Sequence, residues 1–292
     1  MIESRILAAI AARLAPLLIA PSRPRHRLRV EGQALACFDA ARMERLCAFD
    51  DVFRRDGDEL AFVDGLSTCE LRTRALEAVS RSLANEGVLT AWRDERYAAS
   101  HAWGAPAAFM LERAAARYFG LHTYAAHANG IVCDGRAVRM WLARRSPRKP
   151  IDPGQLDNLV GGGMAAGEEP DATLVREAWE EAGVPADVAA NARRVATLHI
   201  ERAVPDGFQR ETIFAYDMPL PSDFVPANQD GEAVEHRCVG LDEVARLIAR
   251  ADGDDRMTVD ASLVALDCLD RHGSVPADSG CARLLAATRR AG

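Results

Sequence analysis

The chain has 292 residues, enough for two ordinary domains or one large one. Hydrophobic residues at 49% and charged residues at 27% are the balance of a soluble globular protein. The net charge of −7 excludes a protein held to nucleic acid by a general positive field. Seven cysteines form no CxxC pair and are odd in number. That disfavours a disulfide framework or zinc site and makes a reducing cytoplasm the expected compartment.

An apolar run, Ile6 to Ala20, is interrupted by Arg13 and Pro16 and is too short to span a bilayer, so no membrane association is expected. It reads as an amphipathic helix over residues 1–20, packed on the first domain and ended by Pro21-Ser22-Arg23-Pro24. Leu28 to Phe38 suggests a strand and turn, and Asp39 to Phe49 carries apolar residues at helical spacing. Asp56-Gly57-Asp58 is a hairpin signal between Val52-Phe53 and Leu60 to Val63. A helix starts at Ser67-Thr68-Cys69-Glu70 and stops at Gly87. Ala107 to Tyr118 reads as another helix, closed by Gly120. The boundary is expected near there, giving an α+β domain over 1–120 and a second domain over 121–292.

From Thr123 the texture changes. Thr123 to Val132 and Val138 to Arg144 are β-rich around a Cys133-Asp134-Gly135-Arg136 turn, and Arg144 to Pro153 is a basic, proline-rich loop. After a glycine-rich box, Val195 to Arg202 and Thr212 to Met218 read as strands. Leu241 to Ala251 and Val259 to Arg271 read as helices.

The box runs from Gly162 to Val184. Asp171 to Ala182 makes a good helix, with Pro170 suited to its first turn and Gly183 to the left-handed position past its end. Leu174, Val175, Ala178 and Ala182 line one side, and Glu177, Glu180 and Glu181 fall within an arc of roughly 100° beside them. Glu177 and Glu181 repel at i,i+4, and Glu180-Glu181 put negative charge at the helix's negative end. A helix arranged for stability would avoid this. Between Ile151 and Asn191 nine acidic residues face one basic residue, Arg176. Three glutamates alone would read as a solvated face; the surroundings argue otherwise. Gly161-Gly162-Gly163 and Gly167 let the backbone pass close to a ligand, and Arg176 can grip Glu168 in bidentate fashion. Clustered hard oxygen donors suit Mg²⁺ or Mn²⁺, shared with substrate phosphate oxygens.

Gly162-x5-Glu168-x7-Arg176-Glu177-Ala178-x-Glu180-Glu181-x-Gly183-Val184 resembles the box of the Nudix hydrolases. Ala178 departs slightly, since the family more often has a larger aliphatic there. The resemblance implies an α/β/α sandwich with a mixed sheet, the box forming loop, helix and loop. It also implies a divalent cation and cleavage of a diphosphate-linked compound. Carried over, Glu177 and Glu181 become the leading metal ligands, Glu180 a further one, and the Gly162 carbonyl a candidate. Arg176 and Glu168 become an orienting pair. The general base stays open, with Glu201, Glu211 and Glu235 as candidates for it or for an extra metal ligand.

A narrower resemblance runs from about Leu35 to His272. It is carried by Trp92-Arg93-Asp94-Glu95-x-Tyr97, Glu112-Arg113-Ala114-Ala115, His127-x-Asn129-Gly130 and Leu156-Asp157-Asn158-x-Val160. These are similar to a Nudix subgroup with an uncharacterised N-terminal companion domain, found attached to fungal thiamine pyrophosphokinase and as stand-alone relatives. It implies thiamine diphosphate, or its oxo and oxy analogues, as a small-molecule substrate cleaved to the monophosphate. Arg144, Arg145, Arg148 and Lys149 are expected to meet phosphate oxygens. His127, Asn129 and Asn158 are expected at the pocket, and Trp92, Tyr97, Trp103 and Trp141 are stacking candidates. The alternatives are hydrolysis of ADP-ribose or a dinucleotide coenzyme, isomerisation of a prenyl diphosphate, and a ligand sensor without turnover. A homodimer is compatible with all of them.

Overall fold

A computed structural model describes residues 2–18, 24–135 and 137–289. Pro21-Ser22-Arg23, the body of the expected breaker, and Arg136 of the expected turn lie outside that set.

Helix α1 (Ser4–Leu18) is followed by β1 (His26–Val30), β2 (Gln33–Phe38), α2 (Ala40–Cys47), β3 (Phe53–Asp56), β4 (Glu59–Phe62) and α3 (Cys69–Asn85). The strands form a sheet in the order β2-β1-β4-β3. Asp39 caps α2 by accepting from the Arg42 N–H, and Thr68 caps α3 through Leu71. Both helices bury one stripe, Met43 and Leu46 from α2 and Leu76, Val79 and Leu83 from α3, over a core with Leu28, Phe38, Leu60 and Phe109.

The helix expected over Ala107 to Tyr118 is instead β6 (Phe109–Glu112), a 3₁₀ turn at Arg113–Ala115 and a single-turn helix α4 (Ala116–Phe119). Phe109 to Glu112 pair antiparallel with β5 (Arg96–Ala99), which buries Phe109 and Leu111. Pairing overrides the helical propensity of an Ala- and Leu-rich segment. Gly120 does close α4, at φ 57°.

The second unit is built on β7 (His122–Asp134), β8 (Ala137–Arg145), β9 (Leu156–Asn158), β10 (Val160–Gly163), helix α5 (Pro170–Ala182) and the single-turn α6 (Ala186–Ala189). It continues with β11 (Arg193–Val204), β12 (Gly207–Pro219), β13 (Ala233–Gly240), α7 (Leu241–Ala249), α8 (Val259–Arg271) and α9 (Gly280–Thr288). The main path is β11-β12-β7-β8-β13, with β10 paired to β7 and β9 to β8. Since β12 runs parallel to β7 and the other pairs are antiparallel, the sheet is mixed.

Period-two alternation sorts this sheet's side chains into two cores. Ala126, Ala128, Phe214 and Tyr216 meet Leu174, Ala178 and Ala182 of α5. Ala125, Ile213 and Ala215 face the other way, with Val244, Leu263 and Leu284 of α7, α8 and α9. The result is an α/β/α sandwich preceded by a smaller α+β unit. Helix α1 belongs to the sandwich: Leu7, Ile10, Leu14 and Leu18 are buried in that second core, not on the first domain where the sequence reading put them. Its apolar stripe fills the surface left by α7 and α9.

Candidate active site at the glycine strand

Strand β10 is made of Val160, Gly161, Gly162 and Gly163. Each glycine is approached by a different side chain. A Cβ on Gly161 would stand 2.9 Å from His127 Cε1, one on Gly162 2.1 Å from Glu177 Cδ, and one on Gly163 2.1 Å from the Tyr97 hydroxyl. Three side chains from three elements therefore press on bare backbone. No other residue type fits at Gly162 or Gly163 without moving them.

Gly161 donates its N–H to Glu181 Oε2 at 2.8 Å, while Met164 donates across the ladder to Tyr124 O at 2.8 Å. In an antiparallel pair, alternate residues turn both backbone groups to the same side. The carbonyl that shares the open edge with Glu181 is thus that of Gly161. Gly162, expected as the carbonyl ligand, turns its own toward β7 and Ala126.

On α5 the box residues hold one another. Glu168 accepts from Arg176 Nε at 3.0 Å and Nη2 at 3.1 Å, from Thr173 Oγ1 at 3.0 Å and from the Ala165 N–H at 3.0 Å. Burial alone would raise the Glu168 carboxyl, but these donors outweigh it and hold the group below its ordinary range. Arg176 Nη1 bridges Glu177 Oε1 at 2.8 Å and Glu180 Oε2 at 3.0 Å. Glu177 and Glu181 are each 8% exposed. Burial pushes Glu177 up against the pull of Arg176. Burial also pushes Glu181 up to about 8; Lys149, with Nζ at 3.7 Å, opposes this, while Glu177 and Asp157 add to it. Glu180 differs: it is bound to Arg176 and its side chain is 39% exposed.

Among the described residues no three His, Cys, Asp or Glu side chains converge as a ready cation site. The residues nonetheless fit a hard divalent ion. Two buried carboxylates with too little positive charge beside them, and a backbone carbonyl on the same edge, make a partial oxygen shell that water and substrate phosphate would complete.

Next to the strand, a cavity of about 430 Å³ lies between the two units. Gly161, Gly163, His127, Arg145, Lys149 and Asp157 form the wall nearest the box, and Tyr97, Arg113 and Arg117 come from the first unit. Glu177 and Glu181 do not line it; Lys149, which touches Glu181, connects the two regions. Farther along, Glu211 accepts from Thr123 Oγ1 at 3.0 Å and Gln209 Nε2 at 2.9 Å, and that same nitrogen donates to Asp260 Oδ2 at 3.0 Å. Burial raises Glu211, with Asp260 adding to the effect. Among the described wall residues, seven Arg or Lys side chains face five carboxylates.

Several expected binding residues fall elsewhere. Arg144 is held by Glu235 at 2.6 Å, Asp255 at 2.5 Å and the Gly154 carbonyl at 3.0 Å, outside the cavity wall. Arg237, at 2.6 Å, and then Arg144 hold Glu235 down at about 2, so it is no base for this site. Asn129 and Asn158 are buried in a chain of bonds: His127 Nδ1 to Asn158 Oδ1 at 3.0 Å, Asn158 Nδ2 to Asn129 Oδ1 at 3.1 Å, and Asn129 Nδ2 to Asp217 at 3.0 Å. They fasten β9 to β7 and β12, and only His127 reaches the cavity. Arg145 does reach it, with its donors on Asp157 and the Ile151 and Asp152 carbonyls. Trp92 lies beneath Arg81, and Trp103 packs on Tyr124 and Phe214. Of the aromatic candidates, only Tyr97 is at the cavity. Gln209 and Asp260 have no signal of their own in the sequence, and Arg113 stands in a stretch of the subgroup resemblance without a role attached to it.

An α/β/α sandwich with a glycine strand, a pinned acidic helix and an adjoining cavity lined by cationic side chains is the architecture of these residues. The family model described as "NUDIX domain" matches residues 123–260, and one described as "Domain of unknown function (DUF4743)" matches residues 21–123. Nudix hydrolase 20, chloroplastic, of Arabidopsis thaliana is 36% identical over 262 residues, covering 86% of this chain and 69% of the relative. Nudix hydrolase 24, chloroplastic, of the same plant is 38% identical over 236 residues, covering 79% of this chain; the chain spans 63% of that relative's length. Among solved structures, the NUDIX domain of Shewanella oneidensis NrtR complexed with ADP ribose matches 53% of this chain and 90% of its own, at 15% identity and a TM-score of 0.41. The chain belongs to the Nudix hydrolase family.

Proposed function

We propose that the protein is a divalent-cation-dependent hydrolase that cuts the diphosphate linkage of a nucleoside-diphosphate derivative, of the ADP-ribose or dinucleotide kind. The observation that carries this is the pairing of two buried, underneutralised glutamates with an adjoining cavity whose wall has an excess of cationic side chains. Such a wall suits an anionic ligand with several phosphoryl oxygens.

When bound, Mg²⁺ (or Mn²⁺) would polarise a phosphoryl oxygen and acidify the attacking water. Glu177, Glu181 and the Gly161 carbonyl would hold it. Arg176 fixes Glu177 and ties the preceding loop to the helix through Glu168. Glu180, bound to Arg176 at 3.0 Å, remains a candidate for a further ligand. Lys149 stands between the cavity and Glu181, where it can meet a phosphate oxygen. Glu211 is the carboxylate of the cavity wall left as a candidate base.

Thiamine diphosphate is the second reading. It rests on the subgroup resemblance, whose stretches include Tyr97 and His127 at the cavity. Two observations rank it second: the cationic wall opposes a thiazolium, and Trp92, Trp103 and Trp141 do not line the cavity to stack on one. No described helix is long and apolar enough to cross a membrane, and all seven cysteines are free. A reducing compartment such as the cytoplasm is proposed from the cysteines.

One experiment decides among these. Purified protein with Mg²⁺ is offered ADP-ribose, dinucleoside diphosphates and thiamine diphosphate, and the products are identified by mass. Cleavage of nucleoside diphosphates supports the first reading, and preferential release of thiamine monophosphate replaces it with the second. No cleavage of any member refutes both.

A further inference from the structure

The first unit reaches the glycine strand with two side chains, and their geometry goes beyond the family's box. Tyr97 on β5 is 7% exposed, with its hydroxyl seated where Gly163 has no side chain. Arg113 follows β6 in the 3₁₀ turn, beside that hydroxyl. Its backbone N–H donates to the Glu95 carbonyl at 2.8 Å, and its Nη1 donates to Glu95 Oε2, also at 2.8 Å. One residue thus holds Arg113 at both ends. The neighbouring Glu112 braces the turn by accepting from the Arg93 N–H at 2.9 Å and the Ala114 N–H at 3.3 Å.

The guanidinium stacks 5.8 Å from the centre of the Tyr97 ring. Its Nη2 lies 3.7 Å from the position a Cβ on Gly163 would take. Among the described residues, only Nη1 has a hydrogen-bond partner in the chain. The side chain is 36% exposed and lines the cavity, so the other donors face space that a ligand would fill. Arg145, on the same wall, has its donors taken by Asp157 and two carbonyls. A rigidly held fork with open donors over a side-chain-free strand matches the oxygens of a phosphoryl group.

We infer that Arg113, aimed by Glu95 and Tyr97, binds non-bridging phosphoryl oxygens of the diphosphate, so that the N-terminal unit supplies part of the active site. This rests on the diphosphate hydrolase reading above and adds to it a binding residue from outside the Nudix domain.

The test is binding of methylenebisphosphonate, a diphosphate mimic that cannot be hydrolysed, to the full chain in Mg²⁺ by isothermal titration calorimetry. Arg113→Ala should weaken binding roughly 10- to 100-fold, as loss of a charge-assisted pair does. Arg113→Lys, which keeps a charge for Glu95, should retain the fold and recover only part of the affinity. Arg96→Ala, next to Tyr97 on β5 but paired with Glu77 at the surface, should bind like wild type. Millimolar guanidinium should restore part of the turnover of Arg113→Ala, which a purely structural arginine would not permit.

Equal affinity in wild type, Arg113→Ala and Arg113→Lys overturns the inference, as does a wild type that does not bind the probe. If the wild type hydrolyses diphosphates and both variants keep its affinity and KM, this inference alone fails. If Arg113 proves necessary for binding but no diphosphate is cleaved, the hydrolase reading fails and the binding role stands.

Discussion

Replacing Gly162 by alanine separates the site from the fold. The new Cβ would lie 2.1 Å from Glu177 Cδ, 2.2 Å from its Oε1 and 2.4 Å from its Cγ. Ordinary contact between such atoms is about 3.5 Å, so the carboxyl must retreat by more than 1 Å. It sits at the end of a flexible side chain and can do so without moving the backbone. The stability cost should therefore stay at the low end of an overpacked site, about 1 kcal/mol. Function should suffer more, because the retreat breaks the 2.8 Å bond from Arg176 and carries a proposed cation ligand away from Glu181. A displacement of about 1 Å at reacting groups costs on the order of 10²-fold in rate, or about 2.7 kcal/mol of barrier. Steady-state kinetics on whichever substrate the panel identifies, with thermal melting beside it, checks both halves. Gly65→Ala is the control, since nothing lies within 4 Å of its Cβ position. Wild-type kcat/KM in Gly162→Ala would refute the placement of Glu177 against the strand.

Glu181→Gln should keep the hydrogen bond from Gly161 while removing the charge, lowering kcat/KM about 10²- to 10³-fold and weakening Mn²⁺ binding, as read by electron paramagnetic resonance. The raised Glu181 carboxyl has a definite sign in pH. Its contribution to the stability of the metal-free fold is fully present below its unfolded value near 4.5 and is lost as pH rises through about 8. Urea melts in EDTA should show wild type losing stability across that window, with a shallower decline in Glu181→Gln and in wild type with Mg²⁺. Arg144→Ala should cost about 1–3 kcal/mol by freeing Glu235 and Asp255, yet leave KM unchanged in kinetic assays. Ile10→Ala should cost about 2–5 kcal/mol in chemical denaturation, because Ile10 is fully buried in the sandwich core.

The acidic helix was readable because its signals are local. Helical spacing, Pro170 and Gly183 all lie within the segment they define, and Arg176 and Glu168 lie close enough in sequence to pair across one loop and turn. The glycine strand was not read as a strand, since glycines carry no alternation. Three of them in a row nonetheless announced close approach, though not by which side chains. Tyr97 was read as a stacking residue, and nothing in the sequence measures the distance from position 97 to position 163. Arg144 and Arg145 are neighbours with opposite fates: on a strand they point to opposite sides, one into a surface ion network and one to the cavity. Composition favours a helix over Ala107 to Tyr118, while its strand partner Arg96–Ala99 is too short to show alternation.

Helix α1 has a consequence for how the protein reaches its structure. The whole DUF4743-type unit is threaded between α1 and the strands of the sandwich that α1 covers. Cys281 on α9 donates to the Leu7 carbonyl at 3.2 Å, joining segments almost a full chain length apart. During synthesis α1 emerges long before its partner α9. The apolar face of α1 must stay uncovered while the intervening unit folds. Contacts of such long separation close slowly and leave sticky surface exposed in the meantime. The sandwich is therefore expected to complete its core late, with the finished N-terminal unit already in place beside the cavity it helps to line.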